Sequence, residues 1–407
     1  MPIGRGLCAV LGLTLCACAT VPPEQSWPAP VQVTRATAAP VPSEPPAVEA
    51  TVASSPPLPV SPLPVSPLPQ TPAGLTPRQF PDLFDRIRDG FALDDFEDRA
   101  IATQLDWYAG NPAYLERVFG RAELYLYHIA TEVESRGMPS EIALLPVVES
   151  AFEPFAYSRS SAAGLWQFIS DTGHRFGLGQ NWWYDGRRDV LESTRAALDY
   201  LQYLHDEFNG DWLLAVAGYN CGENCVARAV RETAAAGESV DFWHVRSHLP
   251  AETRAYVPKL LAMKRLLANP GDYGIEFSPI ANEPYFTRVD TNGQIDLPLA
   301  ADLAGITHTE LSELNPAYHR WATPPDGPYQ LLLPIDAADT FRENIAQLSP
   351  DELMRVTHHA VRPRETLASI ARHYDTQPFL LRALNNLGNS PLVAGTDLRV
   401  PSGNTAL

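Results

Sequence analysis

Apolar positions give the chain three textures. Between about 78 and 270 they recur with a helical period. Leu115, Val118, Ala122, Leu126, Ile129 and Val133 follow 3-4-4-3-4 spacing, which predicts one face of a long helix. Gly137 and Pro139 end it. Ser140 then caps a second helix, with Glu141 in its first turn. That helix carries Ile142, Leu144, Leu145, Val147 and Val148, is apolar nearly all round, and is therefore expected to be buried; it ends close to Glu149-Ser150. Asp189 to Phe208 reads as another helix, with Ala197, Leu201, Leu204 and Phe208 on one face. Asp211 caps a short apolar segment from Trp212 to Tyr219, and Thr253 to Leu267 closes the region as a last helix.

Past about 280 the pattern changes. From Val356 to Pro401 the order is strand, helix, helix, strand: His359-Ala360-Val361, Glu365-Thr366-Leu367, a helix from Ala368 to Tyr374, another from Phe379 to Asn385, then Leu398-Arg399-Val400-Pro401. A weaker copy of this plan runs from Phe286 to Pro334, through Ile295 to Leu303, Leu311 to Asn315 and Leu331-Leu332-Leu333-Pro334. Units of under 50 residues have the size of a binding module rather than of an enzyme. From Val21 to about Pro77 there is no period at all. Seventeen of the 39 prolines fall between 21 and 80, and Leu-Pro-Val-Ser-Pro occurs at 58–62 and again at 63–67. Such a segment lacks the means to build a core and is expected to be an extended tether that gives a folded body reach; a proline-rich recognition motif is the rarer use of such a segment.

The N-terminus reads as an export signal. Arg5 precedes an apolar run from Leu7 to Leu15, nine residues where about 20 are needed to span a bilayer. The run leads into Leu15-Cys16-Ala17-Cys18-Ala19, which resembles a bacterial lipoprotein box and implies removal of 1–17 and acylation of Cys18. A plain signal peptide stays open, because Cys16 is unusual in that box. Ala19 in place of Asp implies sorting to the outer membrane, hence a periplasmic protein anchored there. Cys8 and Cys16 belong to the removed segment, which leaves Cys221 and Cys225 as an even pair in an oxidising compartment; a disulfide across them is favoured over a metal site, because no His stands at ligand spacing beside them. A net charge of −18 without any basic run argues against nucleic acid.

The most informative polar residue is Glu149. It follows Leu144-Leu145-Pro146-Val147-Val148 and precedes Phe152, and an apolar shell raises a carboxyl pKa. A Glu that stays protonated near neutral pH can give its proton to a glycosidic oxygen. Glycosidases mostly use two carboxylates. No second one is convincing, since Glu153, Asp171 and Asp185 lie in polar stretches.

The run Glu149-Ser150, then Ser158, then Gly164-Leu165-Trp166-Gln167 resembles the signature of goose-lysozyme-like transglycosylases. Further pieces follow in that family's order: Thr194-Arg195-Ala196-Ala197 with Tyr200-Leu201, then Ala217-Gly218-Tyr219-Asn220, then Glu252-Thr253-Arg254 with Tyr256-Val257. With the tether and a C-terminal LysM-like module, the chain from 78 to 401 is similar to the membrane-bound lytic transglycosylase D family. The resemblance implies a mainly α fold: a lysozyme-like helical catalytic domain over 78–275, with its core at about 138–262, followed by small βααβ modules, a degenerate LysM-like one at 284–335 and a LysM domain at 355–402. The signal (1–17) and Pro-rich tether (18–77) precede them.

The resemblance further implies a one-carboxylate route on peptidoglycan glycan strands. Glu149 acts as acid and then base, the sugar's 2-acetamido group stabilises the charge, and the MurNAc C6 hydroxyl attacks C1 to leave a 1,6-anhydro end. Tyr219 and Asn220 are candidates for orienting Glu149 or the acetamido group. Ser158 and Gln167 are candidates for binding the sugar, Ser150 for bonding the Glu149 carboxyl, and Glu252 for touching the glycan. Trp166 and Trp182-Trp183 read equally as core or as a stacking wall. No metal or cofactor is called for, and a monomer is expected. Two departures stand out: Cys221 and Asn224 replace a small residue and a glycine after Tyr219-Asn220, with Asn224 expected to supply a left-handed backbone, and Arg364 stands where LysM modules usually have Gly. The competing readings are a hydrolase of the lysozyme kind on the same fold, and a cell-wall-binding lipoprotein without catalysis.

Overall fold

The computed structural model describes residues 80–401 apart from 375, 386, 389 and 390. The signal, Cys18 and the tether lie outside the described residues. The body before the two small modules is mainly helical, and aspartates start many of its helices. Asp82, Asp98, Asp189, Asp211 and Asp241 each accept a backbone N–H from the first turn of the helix that follows. Five of the acidic residues therefore serve as caps.

Three helices organise the centre. Trp212–Cys221 is apolar and packs against both Val190–Glu207 and Ala251–Ala268. This arrangement brings the end of one motif, Tyr219-Asn220, beside another, Thr253 to Tyr256. The core around them includes Trp166, Phe152, Phe242, Leu201, Val216 and Leu260, all shut off from solvent.

Two predicted helices are broken. The face from Leu115 to Val133 is buried as expected, but it is carried by Pro112–Ala122 and Leu126–Ser135. Between them the Tyr125 N–H bonds the Ala122 carbonyl at 2.9 Å, three residues back rather than four, and the turn tightens. The spacing survives because a tight turn barely changes the direction in which the next residues point. The second predicted helix is a 3₁₀ turn, Ser140–Leu144, running into a short α-helix, Leu145–Glu149. Pro146 has no N–H for an i→i−4 bond, and the Leu145 N–H takes the Ile142 carbonyl instead. Ser140 is not the cap, since its hydroxyl donates to the Ile87 carbonyl at 2.6 Å. Glu141 is fully buried, where it accepts the N–H groups of Ala92 and Leu93 and pairs with Lys264 at 3.1 Å.

Both C-terminal modules have the βααβ plan. In the first, strand Phe286–Asp290 pairs antiparallel with Gln330–Pro334, and helices Leu297–Ala304 and His308–Leu314 lie between them in sequence. Its core also takes in Phe341 and Ile345 of the helix Ile335–Ile345, and Leu353. In the second, Val356–Ala360 pairs with Asp397–Pro401 around a separate small core of Leu367, Ile370, Leu381, Leu398 and Val400. Here Arg364 takes a left-handed backbone (φ +73°), which accounts for the glycine usual at that position.

The first module is joined to the catalytic body. Phe286, Leu314 and Leu332 belong to the body's own core. The Tyr125 hydroxyl donates to the Glu313 carbonyl at 2.8 Å, the Asp185 N–H to the Ala317 carbonyl at 2.9 Å, and the His319 N–H to the Trp183 carbonyl at 3.1 Å. Trp183 packs against Trp321, and the Arg320 guanidinium lies over Trp182. Trp183 is thus buried in the junction, and Trp166 is fully buried in the core with its indole N–H bonded to Thr194 at 3.0 Å; for both, the core reading holds.

Asp185 differs from its expected surroundings. It is buried, and Arg187 forks it through Nε to Oδ1 at 2.9 Å and Nη2 to Oδ2 at 2.7 Å. Burial alone raises the Asp185 carboxyl, and the Arg187 fork outweighs it and holds the pKa below the ordinary value. The third nitrogen of Arg187 donates to the Ser161 and Phe168 carbonyls at 2.7 and 3.2 Å. One ion pair therefore connects the first module to the loop that follows Glu149.

Two predictions follow from this junction. A chain ended after residue 282 melts about 10 °C lower than one ended after residue 354, because only the former strips apolar cover from the catalytic core; differential scanning calorimetry reads the difference. Arg187→Met costs about 3–5 kcal/mol in urea unfolding by stranding a buried carboxylate, and adding Asp185→Asn restores part of it.

Candidate active site

Glu149 is the last residue of Leu145–Glu149, and the chain turns sharply after it. Ala151 and Phe152 both have left-handed backbones (φ +53° and +56°), an arrangement that costs energy for residues other than glycine. Three contacts hold it. Phe152 is fully buried, the Ser150 and Phe152 N–H groups both bond the Pro146 carbonyl at 3.1 Å, and the Arg121 guanidinium donates to the Ala151 carbonyl at 3.0 and 2.7 Å. The strained turn stops the helix at the carboxylate and sends the chain away from it.

The loop that follows folds into a short ladder, with Ala163 bridged to both Tyr157 and Phe168. The Ser158 hydroxyl accepts the Ala162 N–H at 3.0 Å and shares a hydrogen bond with Ser160. Gln167, left-handed at φ +50°, donates from Nε2 to the Gly164 carbonyl at 2.8 Å. Gly164 sits against the Arg187 backbone so closely that a Cβ would stand 2.2 Å from that carbonyl oxygen. Ser150 does not bond the Glu149 carboxyl. Its hydroxyl donates to the Leu165 carbonyl at 2.9 Å, because the turn aims it at the loop, where it ties the two ends of the motif together.

The opposite wall comes from two other helices. The Tyr219 hydroxyl donates to the Trp166 carbonyl at 2.8 Å rather than to Glu149. The negative charge of Glu149 nevertheless adds to the burial that drives the Tyr219 phenol upward, so the two groups are neighbours. Asn220 accepts the Thr253 hydroxyl at 2.7 Å through Oδ1. The group that bonds the carboxyl is Tyr256, whose hydroxyl donates to Glu149 Oε1. Tyr256 stood in a recognised motif without an assigned role. Its only sequence signal was its place one turn after Glu252, and nothing local links it to a residue 107 positions earlier.

Glu149 keeps some solvent-accessible surface while protein packs round most of its carboxyl. That burial pushes its pKa up to about 7; the Tyr256 hydrogen bond pulls the other way, Glu252 adds a like charge, and Lys259 opposes it. Glu252 itself is exposed. Glu153, Asp171 and Asp185 do not compete for the role: Glu153 accepts a nearby backbone N–H, Asp171 is exposed, and Asp185 is forked by Arg187.

A disulfide joins Cys221 to Cys225, directly after Asn220. The left-handed residue in this turn is Gly222 (φ +86°), while Asn224 lies within the helix Glu223–Ala235; the position expected to demand a permissive residue does not. Glu223 opens that helix, bonded to the Tyr200 hydroxyl and to Arg175.

Residues 127–242 match the Transglycosylase SLT domain, 285–350 the LysM-like domain of lytic transglycosylase MltD, and 359–401 the LysM domain. Membrane-bound lytic murein transglycosylase D of Escherichia coli (strain K12) is 38% identical over 335 residues, 80% of this chain and 74% of that protein. A putative tributyltin chloride resistance protein of Alteromonas sp. (strain M-1) is 52% identical over 110 residues, 27% of this chain and 53% of that one. Among solved structures, lytic transglycosylase Slt of Pseudomonas aeruginosa is similar over 38% of this chain and 25% of its own, at 25% identity and a TM-score of 0.29. With all three modules matched, and with that identity over most of both chains, the protein belongs to the membrane-bound lytic murein transglycosylase D family.

Proposed function

We propose that Glu149 acts alone as acid and then base in cleaving the β-1,4 bond between MurNAc and GlcNAc of peptidoglycan. The observation that carries this reading is a carboxyl whose pKa burial raises to about 7, bonded by Tyr256, on a residue that keeps some accessible surface. At that pKa both protonation states are populated near neutrality, and each is needed once per turnover.

In the first step the Glu149 proton passes to the glycosidic oxygen and the C1–O bond breaks, releasing the GlcNAc hydroxyl. The 2-acetamido group of the MurNAc ring stabilises the positive charge at C1. In the second step the Glu149 carboxylate takes the proton of the C6 hydroxyl, and O6 bonds to C1. Protons balance, Glu149 is restored, and the product is a 1,6-anhydro end formed without water. A nucleophile within the same ring avoids the entropic cost of holding an external one. Tyr256 orients the carboxyl and steadies its anionic form between the steps. Tyr219 fixes the Trp166 carbonyl and so the loop wall. Glycan contacts are assigned to Ser158, Gln167, Asn220 and Glu252, all of which keep accessible surface on the elements surrounding Glu149. The second module holds GlcNAc-containing strands near the site.

No helix among the described residues is long and apolar enough to cross a membrane. Attachment is assigned to acylated Cys18, with the body monomeric in the periplasm and tethered to the outer membrane.

Glu149→Gln keeps the fold, since the amide oxygen still accepts the Tyr256 hydroxyl, and lowers digestion of purified sacculi by about 10³-fold or more. Mass spectrometry of products released by the parent protein finds ends one water lighter than reducing sugars; reducing ends throughout mark a hydrolase instead. The acid must be protonated for the first step, so kcat/KM falls as pH rises through about 7. Tyr256→Phe removes a contact that lowers the Glu149 pKa, so the alkaline limb of the pH–rate profile moves to higher pH while kcat falls about tenfold or more.

A further inference from the structure

Two adjacent arginines in the segment that braces the active-site loop have opposite surroundings. Arg187 is buried and fully engaged by Asp185 and two carbonyls. Arg188 keeps accessible surface and forms neither an ion pair nor a side-chain hydrogen bond among the described residues, and its Nε is buried without an acceptor. Asp185, an acid that feels the Arg188 charge, is already taken by Arg187. The Arg188 guanidinium lies 5.9 Å from the centre of the Tyr157 ring, and Tyr157 is 60% exposed.

The position of Arg188 ties it to the loop that follows Glu149. Tyr157 belongs to the short ladder between Glu149 and Gln167. A Cβ on Gly164 would stand 3.0 Å from the Arg188 Cα, and it is the Gly164 carbonyl that receives Gln167. Arg188 thus packs against the loop that carries candidate glycan contacts. The guanidinium is near the phenol ring rather than stacked on it, and its flat fork of donors suits a carboxylate.

We propose that Arg188, supported by Tyr157, forms a subsite for a carboxylate carried on the lactyl arm of MurNAc. This rests on the transglycosylase reading of the groove. Peptidoglycan strands offer that chemistry from two sources. In a peptide-free strand the lactyl group ends in its own carboxylate. In a peptide-bearing strand that group is an amide, and the carboxylates belong to the stem peptide. Either way the subsite lets the enzyme recognise what hangs from the sugar while Glu149 acts on the ring.

The experiment compares the parent protein, Arg188→Gln and Arg188→Lys on three purified strands: peptide-bearing, amidase-treated, and peptide-bearing with all carboxylates converted to methylamides. Formation of anhydro ends by the parent protein checks the underlying reading separately. Arg188→Gln is expected to raise KM about tenfold relative to the parent on carboxylate-bearing strands, with kcat changed less than threefold, and Arg188→Lys to recover part of the loss. That disadvantage disappears on methylamide strands, where the parent's own KM rises to match. A defect confined to one of the first two substrates assigns the carboxylate to that source, and a defect on both shows that either is accepted. A defect of Arg188→Gln that persists on methylamide strands, or a parent KM indifferent to methylamidation, overturns the proposal; the second measurement holds even if the variant fails to fold.

Discussion

The packing round one carboxyl, that of Glu149, governs the rest: protein surrounds it, although the residue keeps some accessible surface. Burial raises the Glu149 pKa to about 7, and a wall that drifted by a water's width would lose that effect. Much of what surrounds Glu149 keeps the wall in place. The left-handed turn at Ala151 and Phe152 is held from one side by Arg121 and from below by the buried Phe152 ring. Ser150 closes the loop onto Leu165, Tyr219 fixes it at Trp166, and Arg187 fixes it at Ser161 and Phe168. These bonds end on main-chain carbonyls, so the loop is positioned as a backbone shape.

The helical texture of the body, the two βααβ modules and the raised pKa of Glu149 were legible because each rests on a local signal: a period, a cap or a run of apolar neighbours. What could not be read depends on contacts between distant segments. Tyr256 reaches Glu149 across 107 residues, and no spacing rule connects them. Asp185 looked solvated because its sequence neighbours are polar, but its burial is decided by the loop and the first module packed over it. Ser150 was expected to bond the carboxyl beside it, and the strained turn aims it elsewhere. The breaks at 123–125 and around Pro146 escaped for another reason: a tight turn preserves the apolar spacing from which a helix is inferred.

The two C-terminal modules share a plan and differ in attachment. Each has its own core, and the first in addition contributes Phe286, Leu314 and Leu332 to the core of the helical body. The stronger sequence signal belongs to the module that supplies no residue to the body's core. In the first, side chains that serve the partner surface no longer follow the module's own pattern, and the copy looks degenerate in sequence.

Between Asp185 and Ala317, and between Trp183 and His319, the seam is made by peptide groups. Peptide groups are the same in every amino acid except proline's missing N–H. Evolution can therefore exchange the aromatic residues along this seam and keep its alignment. Descendants of this chain can look unrelated here and still join their two parts at the same angle.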